Sequence, residues 1–580
     1  MMDVRAYLKQ GKPLLFDGAM GTLFAAAPGH ADLCCEQASL LEPKAVAAIH
    51  RAYLDAGAKA IKANTFGVSS LPASEQPQLI AAACRIAQEA AAHYDAFVFA
   101  DIGPAPQSRD MAACYIAQAD CFLAQGVTNF LMETLPTDEG VAQLAQHLRA
   151  VCPDAYLIVS FAVNPDGVTP DGLLGTELFR RMQGVADAVG FNCLSGPGHL
   201  LQYIRRLPQH SAALSVMPNA GYPTVLGRRT VFKGTPDYFS TQMAQIAQCG
   251  AAIIGGCCGT TPEHIRMTAD ALAQLEQFPA ESSAAVQGET RKAHPNALSD
   301  MLEGGRKVIA VELDPPVDDD IAFFMDGVRT LRDLGANAVT IADCPIGRPR
   351  ADSSLLACKI KRELGMEPLP HLTCRDRNMN ATKALLLGLS IEGVHNVLLV
   401  TGDPIPTADR DEVKSVFNFN SRKLSQYVRG LNEEVLATPF RIFGALNVNA
   451  PNFQVQLRLA QEKEACGMTG FLTQPVLSRE AFENLQLARK TLHGKILGGI
   501  FPVVSHRNAC FLNNEISGMR VCDEIVSLYE GKTREEAEEL AVTISTSVAK
   551  AIEPFVDGFY LMTPFKRVQL IGRILEKIRA

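Results

Sequence analysis

Two adjacent cysteines at the end of an apolar segment are the residues of this chain best suited to chemistry. Cys257 and Cys258 lie in the run Gly-Gly-Cys-Cys-Gly-Thr, and Cys193 ends another apolar segment. Adjacent cysteines cannot form a disulfide with each other without strain, but their thiolates can bind one soft metal ion. Cys193 could supply a third sulfur. A zinc ion held by three thiolates keeps one open position, which would bind and activate the thiol of a substrate.

The acid–base chemistry of thiols explains why such a site would be useful. A free thiol has a pKa of about 8.5 and is mostly protonated at neutral pH, whereas a zinc-bound thiol is a thiolate that can attack an activated methyl group. The alternative is a closed structural zinc site, which needs a fourth protein ligand. No Cys-x2-Cys pair accompanies these cysteines, and His264, one turn into the next predicted helix, is expected to face solvent. We therefore favour an open site.

The cysteines belong to a regular alternation of apolar and amphipathic segments. Continuous apolar strands that alternate with helices are typical of a parallel sheet, and eight of them predict a closed (β/α)8 barrel. The strands predicted in the first half are 13–17, 58–65, 96–101, 127–133, 156–161, 186–193, 213–219 and 251–257.

A polar or sulfur-bearing residue stands at the end of each predicted strand. The carboxyl ends of the strands form one mouth of such a barrel, where its active site lies. Any one of these residues is as compatible with a turn as with a function, but eight from eight strands indicate a site. They are Asp17, Asn64 with Thr65, Asp101, Glu133, Ser160, Cys193, Asn219, and Cys257 with Cys258.

The second half of the chain repeats the pattern, so the predicted fold class is α/β, with two (β/α)8 TIM barrels in tandem. Residues 281–299 lack a hydrophobic period and are rich in small and polar residues, as expected of a linker between barrels over 1–280 and 300–580. No Gly-x-Gly-x-x-Gly dinucleotide fingerprint follows any strand of the second half. Its predicted strands are 307–313, 337–343, 368–373, 394–401, 441–447, 470–474, 495–501 and 557–562.

Composition and charge narrow the class of protein. The chain has 580 residues, of which 47% are hydrophobic and 20% charged, as in a globular protein of two domains. The net charge of −8 argues against a nucleic-acid partner or a membrane surface, and no apolar stretch approaches the roughly 20 residues of a membrane span. Sixteen cysteines without a secretory signal pattern indicate reduced thiols and a cytoplasmic protein, and the composition is compatible with a homo-oligomer.

Motifs in the first half resemble the homocysteine S-methyltransferase family, which includes the homocysteine-binding module of cobalamin-dependent methionine synthase. The resemblance covers nearly all of residues 10–275 and implies zinc-dependent methyl transfer to homocysteine. The matching motifs are Asp17-Gly-Ala-Met-Gly-Thr22, Ala63-Asn-Thr-Phe66, Met132-Glu-Thr134, Gly190-Phe-Asn-Cys193, Pro218-Asn-Ala-Gly221 and Gly255-Gly-Cys-Cys-Gly-Thr260.

This resemblance also implies roles for individual residues. The implied zinc ligands are Cys193, Cys257 and Cys258. Asp17 and Glu133 are implied to hold the amino-acid end of homocysteine, and Asn64 and Asn219 belong to the same implied substrate site.

The second half is similar to methylenetetrahydrofolate reductase. The resemblance implies a flavin (FAD) in the barrel mouth, NAD(P)H as electron donor, and reduction of 5,10-methylenetetrahydrofolate to 5-methyltetrahydrofolate. The matching motifs are Val311-Glu-Leu-Asp-Pro-Pro316, Ala338-Val-Thr340, Pro370-His-Leu-Thr-Cys374, Thr401-Gly-Asp403 and Leu472-Thr-Gln474.

The reductase resemblance assigns roles in the same way. Glu312 matches the general acid that protonates N10 of the folate, and Asp403 matches a catalytic aspartate beside the flavin and the pterin. Gln474 matches a folate-binding glutamine. The implied flavin contacts are Thr340, His371, Asp403 and Lys463. The chain departs from the bacterial pattern at residues 445–449, and an arginine is often found where Thr401 stands.

One implied role also has independent physical support. Glu312 is flanked by Leu313 and Pro315, so its carboxyl should be partly desolvated. Desolvation raises the pKa of a carboxyl and keeps a proton available for general acid catalysis.

Two functions are weighed for the whole chain. The first is a bifunctional enzyme that makes 5-methyltetrahydrofolate and methylates homocysteine to methionine. The second is a zinc- and flavin-binding sensor or scaffold without catalysis. The chain has no Asp-x-His-x-x-Gly cobalamin-ligand motif. The methyl donor could therefore be methylfolate itself, S-methylmethionine, S-adenosylmethionine or a separate corrinoid protein.

Overall fold

The computed structural model describes residues 3–30, 33–106, 110–207, 210–226, 229–275, 293–404, 414–516 and 518–579. The chain divides into two compact units, 1–288 and 289–580. Most of the predicted linker, residues 281–292, lies outside the described residues. Each unit is an eight-stranded parallel α/β barrel, which confirms the predicted fold class.

The first barrel has its strands in the order β1-β10-β7-β6-β5-β4-β3-β2. It closes where Phe16, just after the first strand, bridges to Ala60 of the second. The strands are β1 (Leu14–Leu15), β2 (Ala60–Lys62), β3 (Phe97–Ile102), β4 (Asn129–Leu135), β5 (Tyr156–Phe161), β6 (Ala188–Asn192), β7 (Ala213–Met217) and β10 (Ala251–Ile254).

Eleven α-helices are assigned in the described part of the first unit. They are α1 (Val4–Leu8), α2 (Gly21–Ala26), α3 (Ala38–Leu41), α4 (Pro43–Asp55), α5 (Gln76–Ala91), α6 (Met111–Ala124), α7 (Val141–Val151), α8 (Gly175–Met182), α9 (Pro197–Ile204), α10 (Pro236–Gln248) and α11 (Pro262–Ala273).

An antiparallel hairpin that the sequence analysis did not predict follows β7. Its strands are β8 (Pro223–Leu226) and β9 (Arg229–Phe232). Phe232 packs so closely on Gly259 that a Cβ there would lie 2.2 Å from the phenylalanine ring. Gly259 also has a φ of +78°, which glycine adopts at little cost. The hairpin therefore covers the loop that carries Cys257 and Cys258.

Alternation along the strands separates two apolar layers of the first barrel. On β5, Tyr156 and Ile158 belong to a cluster with side chains from all the other barrel strands, and Val4 of α1 joins it. Leu157 and Val159 belong instead to the cluster between strands and helices. Each such side chain contributes about 1.5–3 kcal/mol to the stability of the fold when it is fully buried. The two layers therefore determine which residues remain to face the mouth of the barrel.

The second barrel is closed in sequence order. Its strands are β11 (Val308–Leu313), β12 (Ala338–Ile341), β13 (Glu367–Thr373), β14 (Asn396–Val400), β15 (Arg441–Leu446), β16 (Gly470–Pro475), β17 (Lys495–Ile500) and β18 (Gly558–Met562). The helices are α12 (Ala297–Glu303), α13 (Ala322–Asp333), α14 (Ser353–Leu364), α15 (Met379–Ile391), α16 (Ser421–Glu434), α17 (Phe453–Ala465), α18 (Arg479–Thr491), α19 (His506–Glu515), α20 (Asp523–Leu528), α21 (Arg534–Ile552) and α22 (Val568–Arg579).

Helix α12 begins inside the segment predicted as a linker. The Asn296 side chain accepts a hydrogen bond from the backbone N–H of Ser299 and caps the helix. Leu298 and Leu302 then pack on the barrel cluster that includes Val308 and Ala338. This burial explains why a segment without a long hydrophobic period is helical. Among the described helices, none is long and apolar enough to span a membrane.

Candidate functional site

The structure brings the three predicted zinc ligands together at the mouth of the first barrel. Cys193 follows β6, while Cys257 and Cys258 follow β10, and their sulfur atoms all lie within 4.8 Å of one another. The Cys193 and Cys258 sulfurs are 3.8 Å apart. Tetrahedral zinc–sulfur bonds of about 2.3 Å imply sulfurs about 3.8 Å apart, so the spacing suits zinc. Among the described residues, no fourth histidine, cysteine or carboxylate joins the group.

Strained backbone and a buried amide hold the thiols in place. Thr134, Cys193 and Leu194 have φ values of +62°, +58° and +55°, a region that non-glycine residues rarely occupy. Asn192 Nδ2 donates to Thr134 Oγ1 at 2.8 Å, and Thr134 N donates back to Asn192 Oδ1 at 2.8 Å. The same Nδ2 lies 3.8 Å from the Cys257 sulfur. Such strain persists only where neighbours enforce it, and it is concentrated at functional sites.

The thiols lie at one side of a cavity of about 390 Å³. Glu133 and Asn64 of the predicted homocysteine site also line it, whereas Asp17 and Asn219 are not among its lining residues. The polar lining that the sequence analysis did not assign to the substrate site consists of Thr22, Cys35, Glu36, Lys62, Thr65, Asp101 and Thr134.

Lys62 is a buried cation that the sequence analysis missed. Its Nζ lies 3.8 Å from Asp17 Oδ1, 3.8 Å from Glu133 Oε2 and 3.4 Å from the carbonyl oxygen of Gly256. Burial alone would lower the pKa of Lys62, but the charges of Glu133 and Asp17 raise it well above its usual value. The lysine is therefore charged, and it contacts two predicted substrate residues and the backbone directly before the paired cysteines. The sequence gives one indication of a functional role for Lys62: it is the last residue of β2 and precedes Asn64 by two positions.

Burial also acts on the acidic residues around this lysine. It raises the pKa of Asp17 to about 7, although Lys62 opposes the change. It raises the pKa of Asp101 well above the usual value, and the charge of Glu133 adds to the effect. The mouth thus holds three carboxyl groups around one ammonium group.

The two predicted asparagines have different surroundings. The Asn64 amide donates to the carbonyl oxygen of Cys35 at 2.6 Å and to Ser39 Oγ at 3.1 Å, and its Oδ1 lies 3.2 Å from the Cys35 sulfur. The Asn64 side chain therefore links the end of β2 to the chain around the start of α3. Asn219 is buried, its N–H donates to the carbonyl oxygen of Ser195 at 3.1 Å, and its Oδ1 has no hydrogen-bond partner in the described part of the chain.

The expectation that His264 faces solvent is wrong. The residue is 4% exposed and forms a capping box with Thr261 at the start of α11. Its Nε2 lies 3.3 Å from the carbonyl oxygen of Gly234, just after the unpredicted hairpin. The segment that follows the hairpin therefore contacts this helix start, which a local sequence pattern could not indicate.

In the second barrel, Glu312 of β11 lies close to one residue of the adjacent strand β18 and one residue of β13, two strands away. Tyr560 of β18 donates a hydrogen bond to Glu312 Oε2, and His371 Nε2 of β13 lies 3.7 Å from the same oxygen. Burial raises the pKa of Glu312 to about 7; the Tyr560 hydrogen bond lowers it, and the charge of Asp314 raises it. This agrees with the predicted desolvation and suits a group that must carry a proton near neutral pH.

Three other predicted ligand residues have buried polar atoms without partners. Within the described residues, Thr340 Oγ1, His371 Nε2 and Gln474 Oε1 accept or donate no hydrogen bond. Burial lowers the pKa of His371 to about 4, so its ring is neutral. Buried polar atoms are nearly always paired, and unpaired ones at a barrel mouth suit a site that a polar ligand completes.

The remaining predicted residues of the second barrel lie at its rim. Asp403 is exposed after β14, and residues 405–413 next to it are outside the described residues. Buried Arg375, after β13, donates to the carbonyl oxygen of Asp403 at 3.0 Å. A guanidinium thus reaches the loop that carries Asp403. Lys463 Nζ donates to the carbonyl oxygen of Ala445 at 2.7 Å, and burial lowers the pKa of Lys463 to about 8.

Two cavities lie near this mouth. One of about 250 Å³ is lined by the residues directly after Glu312, together with Phe323, Phe565 and Lys566. A larger one of about 1390 Å³ is lined by residues that follow β15 and β16 and by part of segment 513–524. None of the predicted site residues lines either of these two cavities.

Comparison with known proteins follows the same division of the chain. Residues 14–272 match the family model of homocysteine S-methyltransferase, and residues 297–579 match that of methylenetetrahydrofolate reductase. Methionine synthase of Mycobacterium tuberculosis is 31% identical over 296 residues, which are 45% of this chain and 25% of that protein. Methionine synthase of Mycobacterium leprae is 30% identical over 295 residues, 44% of this chain and 24% of that protein. The chain spans about a quarter of the length of these relatives.

A solved structure also matches. The metallated homocysteine methyltransferase MmuM from Escherichia coli is 24% identical, with a TM-score of 0.38, over 46% of this chain and 99% of that chain. Together, the two family models account for both barrels. Residues 14–272 belong to the homocysteine S-methyltransferase family, and residues 297–579 belong to the methylenetetrahydrofolate reductase family.

Proposed function

We propose that the first barrel transfers a methyl group to the thiolate of homocysteine and forms methionine. The observation that carries this proposal is the group of three cysteine sulfurs within 4.8 Å of one another beside a cavity of about 390 Å³. Zinc bound there by Cys193, Cys257 and Cys258 would hold the substrate sulfur as a thiolate at neutral pH. The cavity matches a small amino acid better than a macromolecule.

The residues around the sulfurs would position the thiols and bind the substrate. Asn192 orients the thiols through its contact with Cys257 and its bonds to the strained backbone at Thr134. Glu133 lines the cavity and would contact the ammonium group of homocysteine. Asp17 would contribute through Lys62, which it shares with Glu133.

We propose that the second barrel reduces 5,10-methylenetetrahydrofolate to 5-methyltetrahydrofolate. Glu312, with a pKa near 7, would donate the proton to N10 of the folate. Gln474 and Asp403 would hold the folate, and Thr340, His371, Asp403 and Lys463 would contact the flavin. FAD, when bound, would carry the hydride from NAD(P)H. The unpaired buried atoms of Thr340, His371 and Gln474 support a polar ligand here.

Together the two barrels would serve methionine-related one-carbon metabolism in the cytoplasm. The second barrel would make a methyl group at the oxidation level that the first barrel transfers. In the described structure, all the cysteines are free, which agrees with a reducing compartment.

The test uses the purified full chain with zinc and homocysteine. Each donor is supplied in turn: 5-methyltetrahydrofolate, S-methylmethionine, S-adenosylmethionine, or a methylated corrinoid protein. Methionine formation with one donor, lost in Cys258→Ala and kept in Cys152→Ala, would support the proposal. Flavin content and NADH- or NADPH-dependent reduction of methylenetetrahydrofolate are measured in parallel. Zinc and flavin retained without turnover of any substrate would favour a sensor or scaffold instead.

A further inference from the structure

A cavity of about 430 Å³ in the first barrel has no role in the function proposed above. It is formed by the start of α9, by the segment that follows β7 and by the first half of α10. Its described lining shares no residue with the cavity of about 390 Å³ that the three cysteines line. Cavities of this size bind small molecules or parts of them.

Two tyrosines form the aromatic part of this lining. Tyr222 and Tyr238 are 45% and 53% exposed. The Tyr222 hydroxyl lies 2.7 Å from Nδ1 of His199, and the two rings pack edge to face with their centres 5.5 Å apart. A Cβ on Gly198 would lie 2.4 Å from the Tyr238 hydroxyl, so this tyrosine packs directly on backbone. Both rings are therefore held by neighbours while much of their surface remains open to a ligand.

The polar part of the lining favours a neutral ring. It includes the side-chain amides of Gln202 and Gln242. An amide presents a donor and an acceptor side by side, which is how a glutamine binds the edge of adenine. Among the described residues that line the cavity there is no aspartate, glutamate, lysine or arginine, so neither a phosphate nor an ammonium group would meet an opposite charge there. A flat ring, in contrast, stacks well on tyrosine.

The backbone links this cavity to the predicted zinc ligands. Gly196, in the lining, follows Cys193 by three residues, which span about 11 Å at most. The backbone N–H of Ala220 donates to the carbonyl oxygen of Cys258 at 2.9 Å, and Tyr222 follows two residues later. A ligand in this cavity therefore lies near the three thiols.

The cavity proposed for homocysteine lies across the barrel from this one. Apart from the cysteines, its lining comes from the segments around the ends of β1 to β4 and before α3. In the order of the eight strands, β6 and β7 are each four places from β2 and β3. Methyl transfer by direct displacement requires the attacking and leaving atoms to lie in line on opposite sides of the methyl carbon. The cavity beside β6 and β7 is therefore placed for the leaving part of the donor.

From this arrangement we infer that the cavity between Tyr222 and Tyr238 binds an aromatic ring of the methyl donor, with the polar edge of the ring at Gln202 and Gln242. The inference rests on the proposed methyl transfer to homocysteine and names the class of donor: a molecule in which several bonds separate a flat ring from the transferable methyl group. S-adenosylmethionine offers the adenine ring, and methylfolate offers the p-aminobenzoyl ring. S-methylmethionine has no ring.

The transfer step with either donor is balanced without a further reactant. The homocysteine sulfur forms a bond to the methyl carbon while the bond from that carbon to the donor breaks, and the electron pair of the broken bond stays on the donor atom. In S-adenosylmethionine this atom is the sulfonium sulfur, which becomes a neutral thioether. In methylfolate it is N5, which also takes a proton from solvent. The tyrosines contact only the ring, so they act on donor binding.

Paired substitutions of Tyr238 test the inference in the zinc-loaded full chain. Tyr238→Leu removes the ring and should raise the KM for the ring-bearing donor by about 5- to 100-fold, the range expected for loss of one stacked ring. Tyr238→Phe keeps the ring and should raise this KM much less. Because the ring is remote from the methyl group, kcat should change less than KM, and the KM for homocysteine and the zinc content should not change.

The amides provide a second pair of variants. Gln242→Ala should also raise the KM for the ring-bearing donor, whereas Gln248→Ala, an exposed residue at the end of the same helix, is the matched control. Calorimetry with S-adenosylmethionine and with methylfolate measures binding independently of turnover, and thermal unfolding checks that each variant is folded. Methylfolate also binds the second barrel in the proposed function, so its binding is compared between wild type and variant.

The separate donors decide what the cavity holds. A KM that responds to Tyr238→Leu with S-adenosylmethionine alone identifies the adenine ring, and one that responds with methylfolate alone identifies the p-aminobenzoyl ring. Unchanged KM values for both donors in Tyr238→Leu and Tyr222→Leu would overturn the inference, and so would activity with S-methylmethionine alone. A response confined to a methylated corrinoid protein would identify a protein-docking surface and would also overturn it.

The outcome for the inference is separable from that for the proposed function. If a ring-bearing donor binds the wild type, binds Tyr238→Leu more weakly, and yields no methionine, the methyl transfer fails and the ring site stands. If methionine forms from that donor with an unchanged KM in both leucine variants, the methyl transfer stands and the ring site is refuted.

Discussion

The pKa of Glu312 provides a test of the reaction proposed for the second barrel, because two neighbouring residues shift this pKa in opposite directions. Burial sets the pKa near 7, the Tyr560 hydrogen bond lowers it, and Asp314 raises it. Tyr560→Phe should therefore raise the pKa of Glu312, and Asp314→Asn should lower it. The two substitutions form a matched pair around one carboxyl.

The expected sizes of the two pKa shifts follow from the kind of interaction that each substitution removes. A hydrogen bond to a charged group contributes about 1.5–3 kcal/mol, and one pKa unit corresponds to about 1.4 kcal/mol. Tyr560→Phe should thus raise the pKa of Glu312 by about one to two units. Asp314→Asn should give a smaller downward shift, because repulsion through space is weaker than a direct hydrogen bond.

The assay is the pH dependence of methylenetetrahydrofolate reduction by the flavin-loaded chain. The acid acts when protonated, so the wild-type rate should fall about tenfold per pH unit above pH 7. The Tyr560→Phe variant should remain active to higher pH than the wild type, and the activity of Asp314→Asn should begin to fall at a lower pH. Glu312→Gln should keep flavin and its reduction by NAD(P)H, lose at least about 10²-fold in folate turnover, and lose this pH dependence.

A control and two adverse results complete this test. Glu363→Gln, on the surface of α14, should leave the profile unchanged. Infrared titration of the carboxyl gives the pKa of Glu312 independently of turnover. Near-normal folate turnover in Glu312→Gln would remove the residue from the chemistry, and shifts of Tyr560→Phe and Asp314→Asn in the same direction would refute the electrostatic reasoning.

Further predictions concern the first barrel. Cys258→Ala should lose zinc and methionine formation but keep flavin and folate reduction, as metal and flavin analysis can check; loss of flavin would contradict the independence of the two units. Zinc K-edge absorption should show about three sulfurs without homocysteine and four with it, each at about 2.3 Å, and homocysteine binding should release a proton near neutral pH. Four sulfurs before homocysteine is added would indicate a closed structural site. Lys62→Met should lower the free energy of unfolding by about 3–5 kcal/mol at pH 8, because it leaves Asp17 and Glu133 buried without their cation. The loss should shrink as the pH falls and the pKa of Asp17, raised by burial, lets that carboxyl neutralise; denaturant unfolding at pH 5 and pH 8 that gave equal losses would contradict this account.

Local patterns were sufficient for the order of elements. Every predicted strand of both barrels overlaps an observed one, and Tyr156–Phe161 agrees at both ends. Apolar runs of this kind bury both faces of a strand wherever the strand lies, so their signal does not depend on distant residues. The hairpin Pro223–Leu226 and Arg229–Phe232 was missed, and its described contact, Phe232 on Gly259, joins residues that are not close in the chain.

The sequence by itself also indicated which residue types gather at each mouth. Because the carboxyl ends of parallel strands meet at one rim, three cysteines at strand ends predict sulfurs close together, and the structure has them within 4.8 Å. A carboxyl between apolar neighbours predicts a raised pKa, as at Glu312. Both inferences need only the strand order and the chemistry of single residues.

Only the tertiary structure decided how those residues are paired. Lys62 links Asp17 to Glu133, the Asn64 amide is committed to Cys35 and Ser39, and the carboxyl of Asp101 is left facing the cavity. These contacts join strands that are distant in the chain, and they depend on the stagger of neighbouring strands and on the way loops fold over the rim. A short-range sequence pattern contains no information on the strand stagger or on the path of the loops. The residues at strand ends can therefore be predicted from sequence, whereas their contact partners cannot.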